Sequence, residues 1–592
     1  MSWSWRTKPR SIIKTVQWFP YFAALHGQNW DETASNLSRF DNKPIHPVRR
    51  AYIYEAHSDE DSWLSSISYH NYLSGQNDNK ETESNGRNDK TTFEFFGFGY
   101  VDKHGIIRVT DIGNKIVQGS FDSEDYLKQL LKLRLPNIIT KTRDNDNDLG
   151  VFPFRLILLA FSKFESLNRS ELALLFGCIR DNDADIAIEA IREFKDEYTK
   201  LDNKNDTFSV KNIYERTFIK YYGSMPNMVD SYYDYAEALS RTLVYTGLFT
   251  LSGRSIASKV RVTEHSKTKV RMLQEKYEFK IPEDFLNVNE YMEWYGSTKN
   301  VRLPWENIED RRNIITEKAD ILTNKLASAD YAFQKAAQIS AEEIEQILKN
   351  INSSTNINEL KYYEDIISGA IVEHNEEYFI KILSKTKEER DNILDKFDDI
   401  LDNIDMSALW LEVNTWKSLI AINGGQFVKR NFKIEDDLTP RSFAPGVGNT
   451  PDMVLYKNGY IIVPEVSLMT GVRQWEHEAS SVVDHVLSFI LDHQDKKVLG
   501  LFISSRLYAR TIWQLFILNR ESWLGAPVPV IPLTINKYME IIKFIYDYDL
   551  DIDDFYNLID YLSKITVNCE TYNEWESNMD AYIESWKKSK IT

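Results

Sequence analysis

The segment TPDMVLYKNGYIIVPE, residues 450–465, constrains the fold more than any other stretch of this 592-residue chain. Asp452 opens a strand-like run, Glu465 closes the next, and Lys457-Asn458-Gly459 supplies the turn between them. The run Gly459-Tyr460-Ile461-Ile462-Val463 is nearly all apolar, which suits a strand buried on both faces. An acid placed directly after such a run is costly unless it is paired, solvated or bound to metal. Two carboxylates on neighbouring strands can share one hard cation. Mg²⁺ takes oxygen ligands, usually one or two carboxylates with water and phosphate. That arrangement serves hydrolysis of a phosphodiester. A plain surface hairpin with two ordinary acids is the bland alternative, so the neighbouring segments must decide.

Downstream, VRQWEHEASSVVDHVLSFI has Trp475, Val482, Val486 and Phe489 at helical spacing, with Glu478 near its start. Upstream, ALWLEVNTWKSLIAI is a second amphipathic helix and carries Glu412. The run KVLGLFI at 497–503 is a third buried strand. Helix, strand, strand, helix, strand is the outline of a nuclease core.

The order Glu412, Pro451-Asp452, Glu465-Val466-Ser467 resembles the PD-(D/E)xK nuclease superfamily. Within it, the chain resembles the AlwI-type Type IIS restriction endonucleases, a group that includes nicking enzymes. The resemblance rests on Gly448-Asn449-Thr450-Pro451-Asp452, on Pro464-Glu465-Val466-Ser467, and on Gln474-Trp475 ahead of Glu478. It extends to Pro9-Arg10-Ser11, to GIIRVTDIG at 105–113, to Leu127-Lys128-Gln129-Leu130 and to Tyr245-Thr246-Gly247-Leu248-Phe249. One position departs from the superfamily pattern: Ser467 stands where a Lys is usual. The resemblance implies that Asp452 and Glu465 are direct Mg²⁺ ligands. It also implies that Glu478 is a ligand or orients a metal-bound water, and that Glu412 supports a ligand or a second metal through water.

A chain of 592 residues exceeds one core and points to several domains. Its 2 cysteines, Cys178 and Cys569, argue against a disulfide framework and for a reducing, cytoplasmic setting. No apolar run approaches the roughly 20 residues of a membrane helix. The net charge of −18 is unfavourable for a nucleic-acid binder, so binding must depend on local basic surfaces. Residues 241–273 hold seven Lys or Arg and one acid, Glu264. The first fifty residues carry Arg6, Lys8, Arg10, Lys14, Arg39, Lys43, Arg49 and Arg50. Arg10, Arg254 and Arg261 are the candidate DNA contacts.

Residues 93–117 are expected to form two strands around a turn at 102–105, then a helix with Thr110 as N-cap. The polar segment 74–92 ahead of them is expected to be a loop. A second unit of similar type starts near Phe154, has a capped helix around Ser170 and Glu171, and closes with strands about Gly253. Residues 306–405 hold a single glycine, Gly369, and have helix-like spacing. His477, His485 and His493 recur every eight residues, so they fan out by about 80° per step and do not converge on a zinc ion. No P-loop, zinc pattern or nucleophile elbow is present.

The expected fold is multidomain α+β. Two winged-helix-like recognition subdomains lie at 1–145 and 146–290, a helical linker at 291–405, and an α/β PD-(D/E)xK nuclease core at 406–592. The expected function is a Mg²⁺-dependent, site-specific endonuclease or strand-specific nickase. It would bind a short asymmetric site in double-stranded DNA and cut a few base pairs away. Double-strand cutting by one centre per chain would need a transient homodimer or a second subunit. The alternatives are a DNA-binding regulator or partner subunit with a degenerate nuclease fold, and a repair nuclease that reads DNA structure.

Overall fold

The computed structural model describes residues 3–9, 12–34, 37–38, 43–58, 61–75, 83–140, 150–201, 206–223, 228–252, 258–263, 266–282, 285–328, 339–402, 407–435, 437–440, 450–472, 474–521, 525 and 527–591. The described chain is mostly helical, with three small sheets. It packs as two compact units, one of residues 1–314 with 355–360, the other of 315–354 with 361–592. None of the described helices is long and apolar enough to cross a membrane. Cys178 and Cys569 are buried free thiols.

The first unit opens on an aromatic core. Helices Ile12–Ala23, Pro47–His57 and Glu83–Phe95 bring Phe19, Phe22, Tyr52 and Phe93 together around Trp30. Residues 83–92 therefore belong to a helix, not to the loop expected from their polar composition. Tertiary contacts override weak local propensity here. Glu83 is gripped by the buried Arg49 and Arg50, and Asp89 by Tyr52 and His57. Residues 76–82 of that expected loop lie outside the described residues.

Strands β1 (Gly99–Val101) and β2 (Ile107–Val109) form an antiparallel hairpin. Asp102 folds its turn by accepting from the backbone N–H groups of His104 and Ile106, at 2.8 and 3.0 Å. Thr110 then caps helix Asp111–Val117 through the Gly113 N–H, as expected. Gly113 is required there: a Cβ would stand 2.1 Å from the Phe98 carbonyl oxygen.

A second group of elements follows. Helix Pro153–Lys163 leads into β3 (Ser166–Asn168) and helix Arg169–Leu174, which has a capping box between Asn168 and Glu171. Helices Ala184–Thr199, Thr207–Tyr222 and Val229–Val244 come next, then β4 (Phe249–Ser252) and β5 (Lys259–Val262). The three strands make an antiparallel sheet in the order β3-β5-β4. Gly253, the expected turn, lies outside the described residues. The N-terminal segment ties this group to the first: Trp3 Nε1 donates to the Cys178 carbonyl and Trp5 Nε1 to Thr242 Oγ1. Residues 288–314 also belong to this unit. The Tyr295 hydroxyl donates to the Phe95 carbonyl, and Trp305 Nε1 to Glu124.

The second unit surrounds a five-stranded sheet in the order β10-β9-β8-β7-β6, formed by β6 (Val428–Arg430), β7 (Met453–Tyr456), β8 (Tyr460–Ser467), β9 (Lys497–Ser504) and β10 (Val530–Thr534). β8, β9 and β10 are parallel, and β6 and β7 continue antiparallel. Helices Ser407–Leu419, Ala479–Asp492, Ala509–Arg520, Ile535–Asp547, Ile552–Lys564 and Tyr572–Ile591 bury this sheet. The core runs through Trp416, Ile462, Leu501, Ile531, Tyr538 and Trp575. Between residues 306 and 405, as the glycine-poor sequence suggests, the described chain is largely helical: Ile308–Ser328, Ala341–Ser353, Ile357–Lys381 and Lys387–Leu401.

Candidate active site

β8 is buried almost throughout and lies between β7 and β9, yet it contains Pro464. A proline has no N–H for a ladder and is rare in a central strand. Along β9 the register is unbroken from Tyr460 to Ser467. Along β7 the pairing runs through Tyr456↔Ile461 and Leu455↔Ile462 and ends there. Pro464 and Val466 present their nitrogens to the same side as Ile462, because strand directions alternate with period two. The two strands therefore part beside Pro464, and the gap is filled by side chains. Asp452 Oδ2 accepts from the Val466 N–H at 2.9 Å. Glu465 Oε2 accepts in return from the Asp452 N–H at 3.5 Å.

The other two acids border the same gap. Glu412 lies on helix Ser407–Leu419. Glu478 ends the wide turn Gln474–Glu478 that precedes helix Ala479–Asp492. Their proximity shows in their electrostatics. Burial and then the charge of Glu465 push the Glu412 carboxyl up to about 7. Burial raises Asp452 well above the usual carboxylate range, with Glu465, Glu412 and Glu478 adding to the effect and the Val466 N–H opposing it. Asp452 and Glu465 are thus linked by hydrogen bonds, and Glu412 and Glu478 lie near enough to act on Asp452 through their charge.

Sequence reasoning missed His485. Its Nδ1 lies 2.5 Å from Glu465 Oε1, and this hydrogen bond raises the imidazole above its ordinary value. The histidine spacing was weighed for mutual convergence, not for a partner across the sheet. Gln474, by contrast, is a scaffold residue. It is fully buried; its Nε2 donates to Met469 O, Ser504 Oγ and Arg506 O, and its Oε1 accepts from the Tyr508 N–H. Ser467 Oγ accepts from the Met469 N–H at 3.0 Å. Gly448, Asn449 and Arg473 lie outside the described residues.

Among the described residues, no group of three or more His, Cys, Asp and Glu side chains is already gathered in metal-ligand geometry. The hydrogen bonds above account for this in part: Asp452 directs an oxygen at Val466, and Glu465 directs one at His485. The donor set nevertheless fits a hard divalent cation. Hard cations select carboxylate oxygens, and a cation would offset the burial and the mutual repulsion that raise Asp452 and Glu412.

The expected DNA contacts fare unevenly. Arg261 is exposed on β5, facing away from the core. Arg10 and Arg254 lie outside the described residues. Much of the basic N-terminal surface expected from composition is turned inward. Arg49 and Arg50 are buried in ion pairs, and Arg6 donates to Thr92 Oγ1 and the Asn88 carbonyl. In the 241–273 stretch, Arg241 is paired with Glu237 at 2.9 Å.

The model of the AlwI restriction endonuclease family matches residues 96–541, which includes the sheet, its acids and most of the first unit. The chain belongs to the AlwI restriction endonuclease family. It is a restriction endonuclease, a nuclease that acts on DNA. No curated protein matches the chain. Among solved structures it is similar to the small subunit, R.BspD6I2, of the heterodimeric restriction endonuclease R.BspD6I. The identity is 19%, the TM-score 0.28, and the match covers 33% of this chain and 98% of that one.

Proposed function

We propose that this member of the AlwI family is a Type IIS endonuclease or strand-specific nickase. It binds a short asymmetric duplex site through its first unit and hydrolyses a phosphodiester with Mg²⁺ at the β7–β8 gap. The meeting of Asp452, Glu465, Glu412 and Glu478 at that gap carries the reading. Asp452, Glu465 and Glu478 would hold the cation, and Glu412 would support them. The cation, when bound, supplies Lewis acidity at the scissile phosphate and lowers the pKa of water. The chain supplies the rest. The parted strands fix the two central carboxylates through backbone N–H groups. His485 holds Glu465 in orientation from the opposite face, as outer-shell partners of carboxylates do.

The helix–strand–helix run at 153–174, closed by a helix and two strands into the β3-β5-β4 sheet, supports a winged-helix reading of that part. On that reading β4 and β5 flank the wing, with Arg254 and Arg261 on or beside it, and Arg10 adds a contact from the N-terminus. One carboxylate cluster per chain cuts one strand at a time. Cleavage of both strands then needs a second copy or a second subunit.

The test is supercoiled plasmid with Mg²⁺, and with Ca²⁺ in its place, followed by run-off sequencing. The expected result is nicked or linear product at a fixed offset from one sequence, with Mg²⁺ alone. Products without a common sequence would refute site-specific action. No cleavage by the unsubstituted chain would refute the enzyme itself.

A further inference from the structure

A cleft of about 290 Å³ opens beside the carboxylates and is not used in the mechanism above. Its walls include Lys429, Asn431, Thr450, Tyr456, His485 and Phe489. It is continuous with the acid cluster at two points. His485 is hydrogen-bonded to Glu465. The Asn431 N–H donates to the Asp452 carbonyl at 2.9 Å, and Asn431 Nδ2 to the Pro451 carbonyl at 2.7 Å. Lys429 is exposed on β6, paired across the ladder with Val454 of β7. Its ammonium lies over the Tyr456 ring, 5.3 Å from the centroid. No carboxylate among the described residues pairs with it.

Charge decides what such a cleft admits. The acid cluster adjoins the cleft behind His485 and Asn431, so an anionic ligand is repelled from that end unless a cation holds it. Lys429 is the cation in the wall of the cleft, and lysine binds phosphate as a point charge. Tyr456 and Phe489 give the cleft apolar floor area against which a sugar or base can lie.

We infer that Lys429 is a substrate-positioning residue that grips the phosphate next to the scissile one, drawing one nucleic-acid strand through this cleft. The inference rests on the nuclease reading and deepens it. The neighbouring phosphate, once held, sets the scissile phosphate in front of Asp452 and Glu465, so that less orientational freedom is lost in the reaction.

The test uses the full chain with Lys429→Ala and Lys429→Arg. Lys429 is exposed, so both variants are expected to keep the Tm of the unsubstituted protein. Single-turnover cleavage is measured on a duplex spanning the mapped cut, across NaCl concentration. A parallel series of duplexes carries one neutral methylphosphonate at each linkage around the cut. Lys429→Ala is expected to slow cleavage about tenfold at subsaturating DNA, mostly through KM, and to shrink the log–log salt slope by about 0.9. Lys429→Arg is expected to stay within about threefold of the unsubstituted rate, because it keeps the charge. One methylphosphonate beside the cut should slow the unsubstituted protein and bring no further loss in Lys429→Ala. Unchanged rate and salt slope in Lys429→Ala would overturn the inference, as would methylphosphonate losses that multiply with the substitution at every linkage. If the unsubstituted chain cuts no DNA with Mg²⁺, the nuclease reading falls and takes this one with it; an active chain indifferent to Lys429 sinks this one alone.

Discussion

Asp452 and Glu465 are each bound to backbone on the other's strand, and this reciprocity separates them from two ordinary surface acids. Replacing either by Ala should reduce Mg²⁺-dependent plasmid cleavage to background. Gel-shift binding to the cognate duplex in Ca²⁺ should persist if, as proposed, the first unit reads the site. Residual cutting by both variants would remove the pair from the chemistry. The same crowding predicts a gain in stability. Asp452→Asn removes one of several mutually repelling charges and should raise Tm in EDTA by about 2–4 °C, or about 1 kcal/mol. Addition of Mg²⁺ should then stabilise the variant less than the parent. His485→Ala frees Glu465 to rotate. It should move the Mg²⁺ midpoint for cleavage about 10–100-fold upward, with smaller loss at saturating Mg²⁺. Asp452 and Glu465 were legible in the sequence because they bracket two apolar runs joined by a turn, and Glu412 and Glu478 because of the resemblance. His485 and Lys429 were not. Their partners lie on other elements, β8 for His485 and β7 for Lys429, and β6 is too short, at 3 residues, to show a period.

Among the elements, the β7–β8 hairpin was plain from its two apolar runs and the Asn-Gly turn. β9 was equally plain from its apolar run. The helix Glu83–Phe95 was hidden because Asn, Gly, Ser and Thr fill it, and what holds it is ionic contact with residues far away in sequence. The parting of β7 from β8 was hidden too, although its cause, Pro464, is visible in the sequence. A single residue shows how tightly helix and sheet close around that core. Gly500 on β9 leaves room for its neighbours: a Cβ there would lie 2.7 Å from Val486 Cγ2 and 2.8 Å from Val530 Cγ2. Gly500→Val should therefore push helix Ala479–Asp492 outward and cost about 1–3 kcal/mol. The Tm should fall and cleavage with it, since Glu478 and His485 flank and lie on that helix. A variant with unchanged Tm would show that the packing yields at no cost.

At the scale of the molecule, the chain folds as two compact units, and the proposed function assigns reading to the first and cutting to the second. A fragment of residues 1–314 should bind the cognate duplex without cutting it. One ending at 290 should be unstable, because it severs helix Val288–Tyr295 and discards Tyr295 and Trp305, both anchored on earlier helices. Equal urea midpoints for the two fragments would contradict that boundary. The anchors of Trp3 and Trp5 carry a different consequence, one of timing. Their hydrogen-bond partners lie 175 and 237 residues further along the chain. On the ribosome Trp3 and Trp5 must wait, apolar and undocked, until residues 178 and 242 have left the exit tunnel. At about 5–20 residues per second that interval is on the order of ten seconds or more. Trp3 and Trp5 thus stay undocked until partners made well after them are available.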